Sequence, residues 1–315
     1  MDAAGGDSAG ARRRILTRTA RMGVAALAVA VLVYVGTRNA TDLTRVRLRL
    51  DAAWLAAAVP VYGAGSLLLA LGWRQELAAF GHRLAPAVAV RVWWRAQLAR
   101  YIPTGLAAFA SREVLARDVG VPNMLGAASL VVELATVVGW GCLAAAVGLP
   151  SSLLAGPLRI VLGAAAGAGL VALPLAYPRV AALGRRVPAL RTLASLPGRR
   201  GGLYGAVALY GASVVIKSLA FVLFARALLP TRGGDIWLLG GAVQGAAVIG
   251  IIGVTPAGLG VREGAMIGLL GHRFGATDAA ALAVAWRAWE FGFELCWLGL
   301  GTLVKPRRRE QAGLA

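Results

Sequence analysis

Apolar residues in this chain fall in long, nearly unbroken runs. The two-residue alternation of a half-buried strand is missing, and so is the single stripe of a soluble surface helix. Runs over about 22–37, 52–72, 124–148, 153–176, 203–229 and 277–304 predict helices. Most match the ~20 residues that cross a hydrocarbon core; the first is short for a full crossing. Between them, 38–51 mixes arginine with valine and leucine, 73–95 carries arginines among Trp73, Trp93 and Trp94, and 179–200 holds six arginines and no acid. The first two suit an interface, where long cations and indoles reach headgroups, and the third reads as a cytoplasmic loop.

Two stretches interrupt this pattern in the same way. Ile102-Pro-Thr-Gly-Leu leads to Arg112–Glu113, a short helical run and Gly120. Thr255-Pro-Ala-Gly-Leu-Gly-Val-Arg-Glu-Gly264 leads from the apolar, glycine-rich run 236–254 into a short amphipathic helix. Each copy ends in a glycine-containing turn and a long apolar helix. Paired broken segments in the two halves of a membrane chain point to a transport site.

Charge bookkeeping places both stretches. The basic N-terminus, the 179–200 loop and the tail after Lys305 should share the cytoplasmic side. The count closes if 87–118 is a re-entrant hairpin from that side and 236–273 is one from the other. The predicted fold is therefore an all-α polytopic membrane protein, with about six full spans, two re-entrant broken-helix hairpins and an inverted repeat. Residues 1–21 form a retained basic cytoplasmic tail, 22–304 a single transmembrane domain, and 305–315 a second basic tail.

Composition agrees with that class: 58% of the 315 residues are hydrophobic and 15% charged, too little polar surface for a soluble domain of this length. The net charge of +19 sits mainly in loops and tails. It reports orientation and contact with anionic headgroups; no basic, aromatic-interleaved soluble domain exists to bind nucleic acid. Cys142 and Cys296 lie inside apolar runs and His82 and His272 stand alone, so no disulfide framework, metal site or cofactor is expected.

An ionisable side chain at membrane depth costs ~2.5–3.5 kcal/mol or more and needs a partner or a wet cavity. Arg112, Glu113, Glu133, Lys217, Arg262, Glu263, Arg287, Glu290 and Glu294 meet that description. Arg287, Glu290 and Glu294 are spaced i, i+3 and i+7 and share a helix face. With Pro256, Gly258 and Gly260 shaping the break, they make a candidate binding constellation. The arginines would face an anionic headgroup and the glutamates would hold them. The plainer alternative is a set of ion pairs joining helices. Metal-dependent and nucleophilic catalytic motifs are missing, so no enzyme is expected.

Ala99-Arg-Tyr-Ile-Pro-Thr-Gly, Leu115-Ala-Arg-Asp-Val-Gly-Val-Pro and Thr255-Pro-Ala-Gly-Leu-Gly-Val-Arg-Glu-Gly resemble the flippase-like family, that of the transmembrane region of lysylphosphatidylglycerol synthase. The resemblance spans roughly 20–305. It implies translocation of an anionic lipid, or of an intermediate linked to polyprenyl phosphate, across the bacterial cytoplasmic membrane. It carries over Pro256, Gly258, Gly260, Arg262, Glu263 and Arg287. Where many members have Glu-Arg, this chain has Glu133-Leu134. With the chain ending just after the last span, aminoacylation of phosphatidylglycerol is not expected. The alternative function is a non-transporting accessory protein, with a glycosyltransferase or an envelope-assembly complex as partner.

Overall fold

A computed structural model describes residues 49–97, 112, 114–184, 198–253, 258 and 260–303. The predicted first span, both basic tails, most of 38–51, Glu113 and Pro256 lie outside the described residues. The fold is all-α and polytopic, as expected. Its long elements are α1 (Ala52–Ala79), α2 (Pro86–Gln97), α3 (Asn123–Gly148), α4 (Gly156–Gly184), α5 (Arg200–Leu228), α6 (Asp235–Ile252), α7 (Val261–Phe274) and α8 (Ala276–Leu303). Among the described residues α1, α3, α4, α5 and α6 are long and apolar enough to cross a membrane. Helix α8 matches them in length, but Asp278, Arg287, Glu290 and Glu294 interrupt its apolar sequence.

Helices α1 and α5 form the central pair. Their register is antiparallel: Gly65 faces Lys217, Gly72 faces the ring of Tyr210, and Gly202 faces Ala79. Glycine at these crossings lets the backbones approach, and the Ser213 hydroxyl donates to the Gly65 carbonyl at 2.7 Å. The start of α1 is fixed locally. Asp51 caps it by accepting from Ala53 N and Trp54 N, while its own N–H donates to Ala227 O at the end of α5. Helix α3 packs antiparallel on α6 with Gly148 directly on the Gly241 backbone, leaving no room for a Cβ. The outer faces carry exposed Ile160, Val161, Val171 and Val215, as walls facing lipid require.

Two apolar clusters occupy opposite ends of the central pair. One joins Tyr62, Phe221, Phe224 and Trp286 with α6 and α7. The other joins Trp73, Leu77, Trp93, Trp94 and Leu203 with Ala116 and Val121 of the first broken stretch. Arg112 and Arg262 are therefore attached to different ends of α1–α5; the break of the first stretch, 98–111, lies outside the described residues. The second hairpin is tight. Helix α6, about 27 Å long by its 18 residues, is itself as long as a hydrocarbon core. Its partner α7 returns along it, with Gly250 beside Arg262, Gly245 beside Leu269, and Asp235 held by Arg273.

Candidate functional site

The turn entering α7 is built from glycine. Gly258 and Gly260 have φ of +69° and +80°, in the region that L side chains avoid. A Cβ on Gly258 would lie 2.9 Å from the Gly250 carbonyl oxygen, so the break is pressed against α6. Glu263 then turns back to accept the Gly260 N–H at 2.7 Å, satisfying one of the free donors at the start of α7. This local geometry points Arg262 toward α8.

There Arg262 meets Glu290 through two hydrogen bonds, Nη1 to Oε2 at 2.8 Å and Nη2 to Oε1 at 3.0 Å. Arg287, one turn earlier on α8, lies 3.6 Å from both Glu263 and Glu290. Two cations and two anions thus close a neutral ring between α7 and α8. Arg287, Glu290 and Glu294 are all buried, on one face as their spacing predicted. Aromatic side chains flank them: Trp286 meets Tyr62, Phe221 and Phe224, and Trp289 meets Phe224 and Phe293. Lys217 is not part of the ring; its ammonium lies 5.0 Å from the centre of the Tyr62 ring.

The first broken stretch repeats the arrangement. Arg112 donates to Glu133 of α3 at 2.6 Å and lies over the rings of Trp93 and Trp73, at 4.7 and 5.6 Å. As in the second copy, the arginine of the Arg–Glu pair reaches a glutamate on the long helix that follows. A left-handed glycine opens that helix's approach in both cases: Gly120 at φ +83° and Gly275 at φ +88°. The two constellations are separate. Tyr62 and Trp73 mark them on α1, about 16 Å apart by the helical rise.

Among the described residues the ion pairs are largely enclosed. The four charged side chains of the α7–α8 ring have relative exposures of 4–17%. A surface cavity of about 460 Å³ lies at the far end of α6, against Gly148, Arg159, Asp235 and Trp237. Two features limit how closed the pairs are. Arg112 Nη2 and Arg262 Nε are buried donors with no hydrogen-bond partner among the described residues.

Two polar contacts were not anticipated from the sequence. Asp235 at the start of α6 takes a two-point hydrogen bond from Arg273, at 2.7 and 2.9 Å, and accepts Arg232 N as well, tying the outer ends of α6 and α7. Glu76, fully buried in the last turn of α1, accepts the Tyr210 hydroxyl at 3.0 Å. It sits in a stretch whose tryptophans and arginines suggest an interface, and nothing local in the sequence singles out Tyr210 as its partner.

The family model described as the lysylphosphatidylglycerol synthase TM region matches residues 20–297. No curated protein and no solved structure matches the chain.

Proposed function

The chain belongs to the family of the lysylphosphatidylglycerol synthase transmembrane region, whose work concerns membrane lipids, and we propose that it translocates a lipid with an anionic headgroup. The observation that carries this reading is the pair of unused guanidinium donors. Arg112 and Arg262 each hold a glutamate, yet Nη2 of the first and Nε of the second are buried donors with no hydrogen-bond partner among the described residues. Buried donors are normally satisfied, and a phosphate oxygen is the acceptor that guanidinium suits best.

In this reading the ion pairs are the resting, closed state. A phosphate displaces Glu290 from Arg262 or Glu133 from Arg112, and the released carboxylate turns to its neighbouring donors. The substrate's charge is then matched at each end of the α1–α5 pair in turn. The protein performs no covalent chemistry and needs no cofactor. It sits in the cytoplasmic membrane with both termini on the cytoplasmic side, and an anionic phospholipid or a polyprenyl-phosphate-linked intermediate is its cargo.

The closed, neutral ring also favours a second reading, a static protein whose ion pairs only join helices, serving an envelope-assembly or glycosyltransferase partner. Leaflet exchange of labelled anionic lipids in proteoliposomes separates the two. The control is Arg262→Gln combined with Glu290→Gln, which leaves no buried charge unpaired. Exchange by the wild type that is lost in the folded double variant is expected. Equal exchange by both, or none by well-folded wild type, overturns the translocation reading.

A further inference from the structure

We propose that the carboxyl group of Glu76 is the site of a transferable proton, and that this proton is the ion coupled to lipid movement. The coupling rests on the translocation reading; the proton site itself does not.

Glu76 is completely enclosed, and one of its two oxygens is unsatisfied. Oε2 accepts the Tyr210 hydroxyl, while Oε1 has no hydrogen-bond partner among the described residues. The contact is built into the central helix pair. The Tyr210 ring packs on Gly72, one turn before Glu76, where a Cβ would come within 2.9 Å of it.

Among the described residues a single cation serves two carboxyl groups here. The Trp73 indole donates to the Ser129 hydroxyl at 3.1 Å, which fixes α1 against α3. Glu76 follows Trp73 by three residues, Glu133 follows Ser129 by four, and Arg112 lies over the Trp73 ring. The charges of Glu133 and Arg112 both reach Glu76. Arg112, however, is already hydrogen-bonded to Glu133.

Among the described residues, the other elements packed on this end of α1 bring no second cation to Glu76. Helix α2 turns Trp93 and Trp94 inward, with Arg91 and Arg95 off its buried face. Arg74 of α1 itself donates to the Leu84 carbonyl, and Tyr210 is the group facing Glu76 from α5. With both carboxyl groups ionised, the set would carry an uncompensated buried negative charge, which proteins avoid. A proton on Glu76 makes it neutral.

The cycle balances without another reactant. A proton from water joins Oε1, giving a neutral acid. Its return to water on the other side leaves a carboxylate that competes with Glu133 for Arg112. Uptake and release therefore shift Arg112 between two partners, at the place where the first broken stretch meets α1.

Two readouts test this. Infrared difference spectra of the purified protein, wild type against Glu76→Gln, report a buried protonated carboxyl without any lipid transport. Proteoliposomes with an imposed gradient of one pH unit report coupling; one proton per lipid shifts the leaflet ratio by up to about tenfold. The expected result is a protonated-carboxyl band at neutral pH that Glu76→Gln removes, and a gradient response in wild type that the variant loses while still exchanging lipid. Tyr210→Phe, which keeps the carboxyl but not its donor, should move the band, providing a second variant if Glu76→Gln misfolds. An unaltered band in both variants overturns the proton site, whatever the lipid does. A gradient response that survives in Glu76→Gln overturns the coupling. Wild type that shows the band but moves no lipid overturns the translocation reading, and the coupling with it.

Discussion

Arg262 and Glu290 face each other across the α7–α8 junction and join through two parallel hydrogen bonds of 2.8 and 3.0 Å. Arg112 and Glu133 make the corresponding contact across the first broken stretch, at 2.6 Å. In each half of the molecule, the arginine of an Arg–Glu pair is held by a glutamate on the next long helix. Both pairs are largely enclosed, so removing one partner strands the other in a poorly hydrated environment, whereas removing both does not.

That asymmetry gives a double-variant cycle. Arg262→Gln alone should lower stability by about 3–5 kcal/mol, because Glu290 loses its two-point partner and is left with the looser contact to Arg287 at 3.6 Å among its neighbours. Adding Glu290→Gln should return most of the loss. Thermal unfolding in detergent measures both. Additive losses in the double variant would show that the pair is not the source of the stability.

The two turn glycines should separate steric contact from backbone strain. Gly260→Ala meets nothing within 4 Å and carries only the cost of φ +80°, about 1–2 kcal/mol. Gly258→Ala carries a similar strain at φ +69° and also drives a methyl group into the Gly250 carbonyl. Gly258→Ala should therefore be the more destabilising of the two in the same unfolding assay. Equal losses would mean that α6 yields freely at Gly250.

His82 sets a pH dependence in the turn between α1 and α2. Partial burial lowers its pKa from the ordinary 6.5, and its Nε2 has no partner among the described residues. The unfolded chain therefore takes up a proton near pH 6.5, while the folded chain does so only at lower pH. The contribution to stability is fully present above 6.5 and is lost as pH falls through that value and below it. His82→Gln should flatten the dependence of the unfolding midpoint between pH 7.5 and 5.5. A slope unchanged by the substitution would place the titrating group elsewhere.

The helices whose limits follow from composition agree closely with the sequence. The predicted span 124–148 is Asn123–Gly148, with Pro122 before it and Pro150 just after it, and the span predicted from 277 starts at Ala276, directly after the left-handed Gly275. Helix α1 shows where that reading stops. Its apolar run ends near 72, and Trp73, Arg74, Gln75 and Glu76 suggest an interface, yet the helix continues to Ala79. Contacts from elsewhere hold three of those groups: Ser129 takes the Trp73 indole, the Leu84 carbonyl takes Arg74, and Tyr210 donates to one oxygen of Glu76. Helix α4 likewise runs from Gly156 through Pro174 and Pro178 to Gly184, longer than the 153–176 run suggested.

The sequence by itself determined the class, the helical spans and the two broken Arg–Glu stretches, because desolvation acts on local composition and allows few solutions in a bilayer. It also placed Arg287, Glu290 and Glu294 on one face, a consequence of helical period alone. Pairing was decided only in three dimensions. Arg262 with Glu290, Arg112 with Glu133, Asp235 with Arg273 and Tyr210 with Glu76 are 28, 21, 38 and 134 residues apart. No local pattern distinguishes them from other combinations of the same charges. Glycine contacts between helices set the register, and the register selects which buried charges meet.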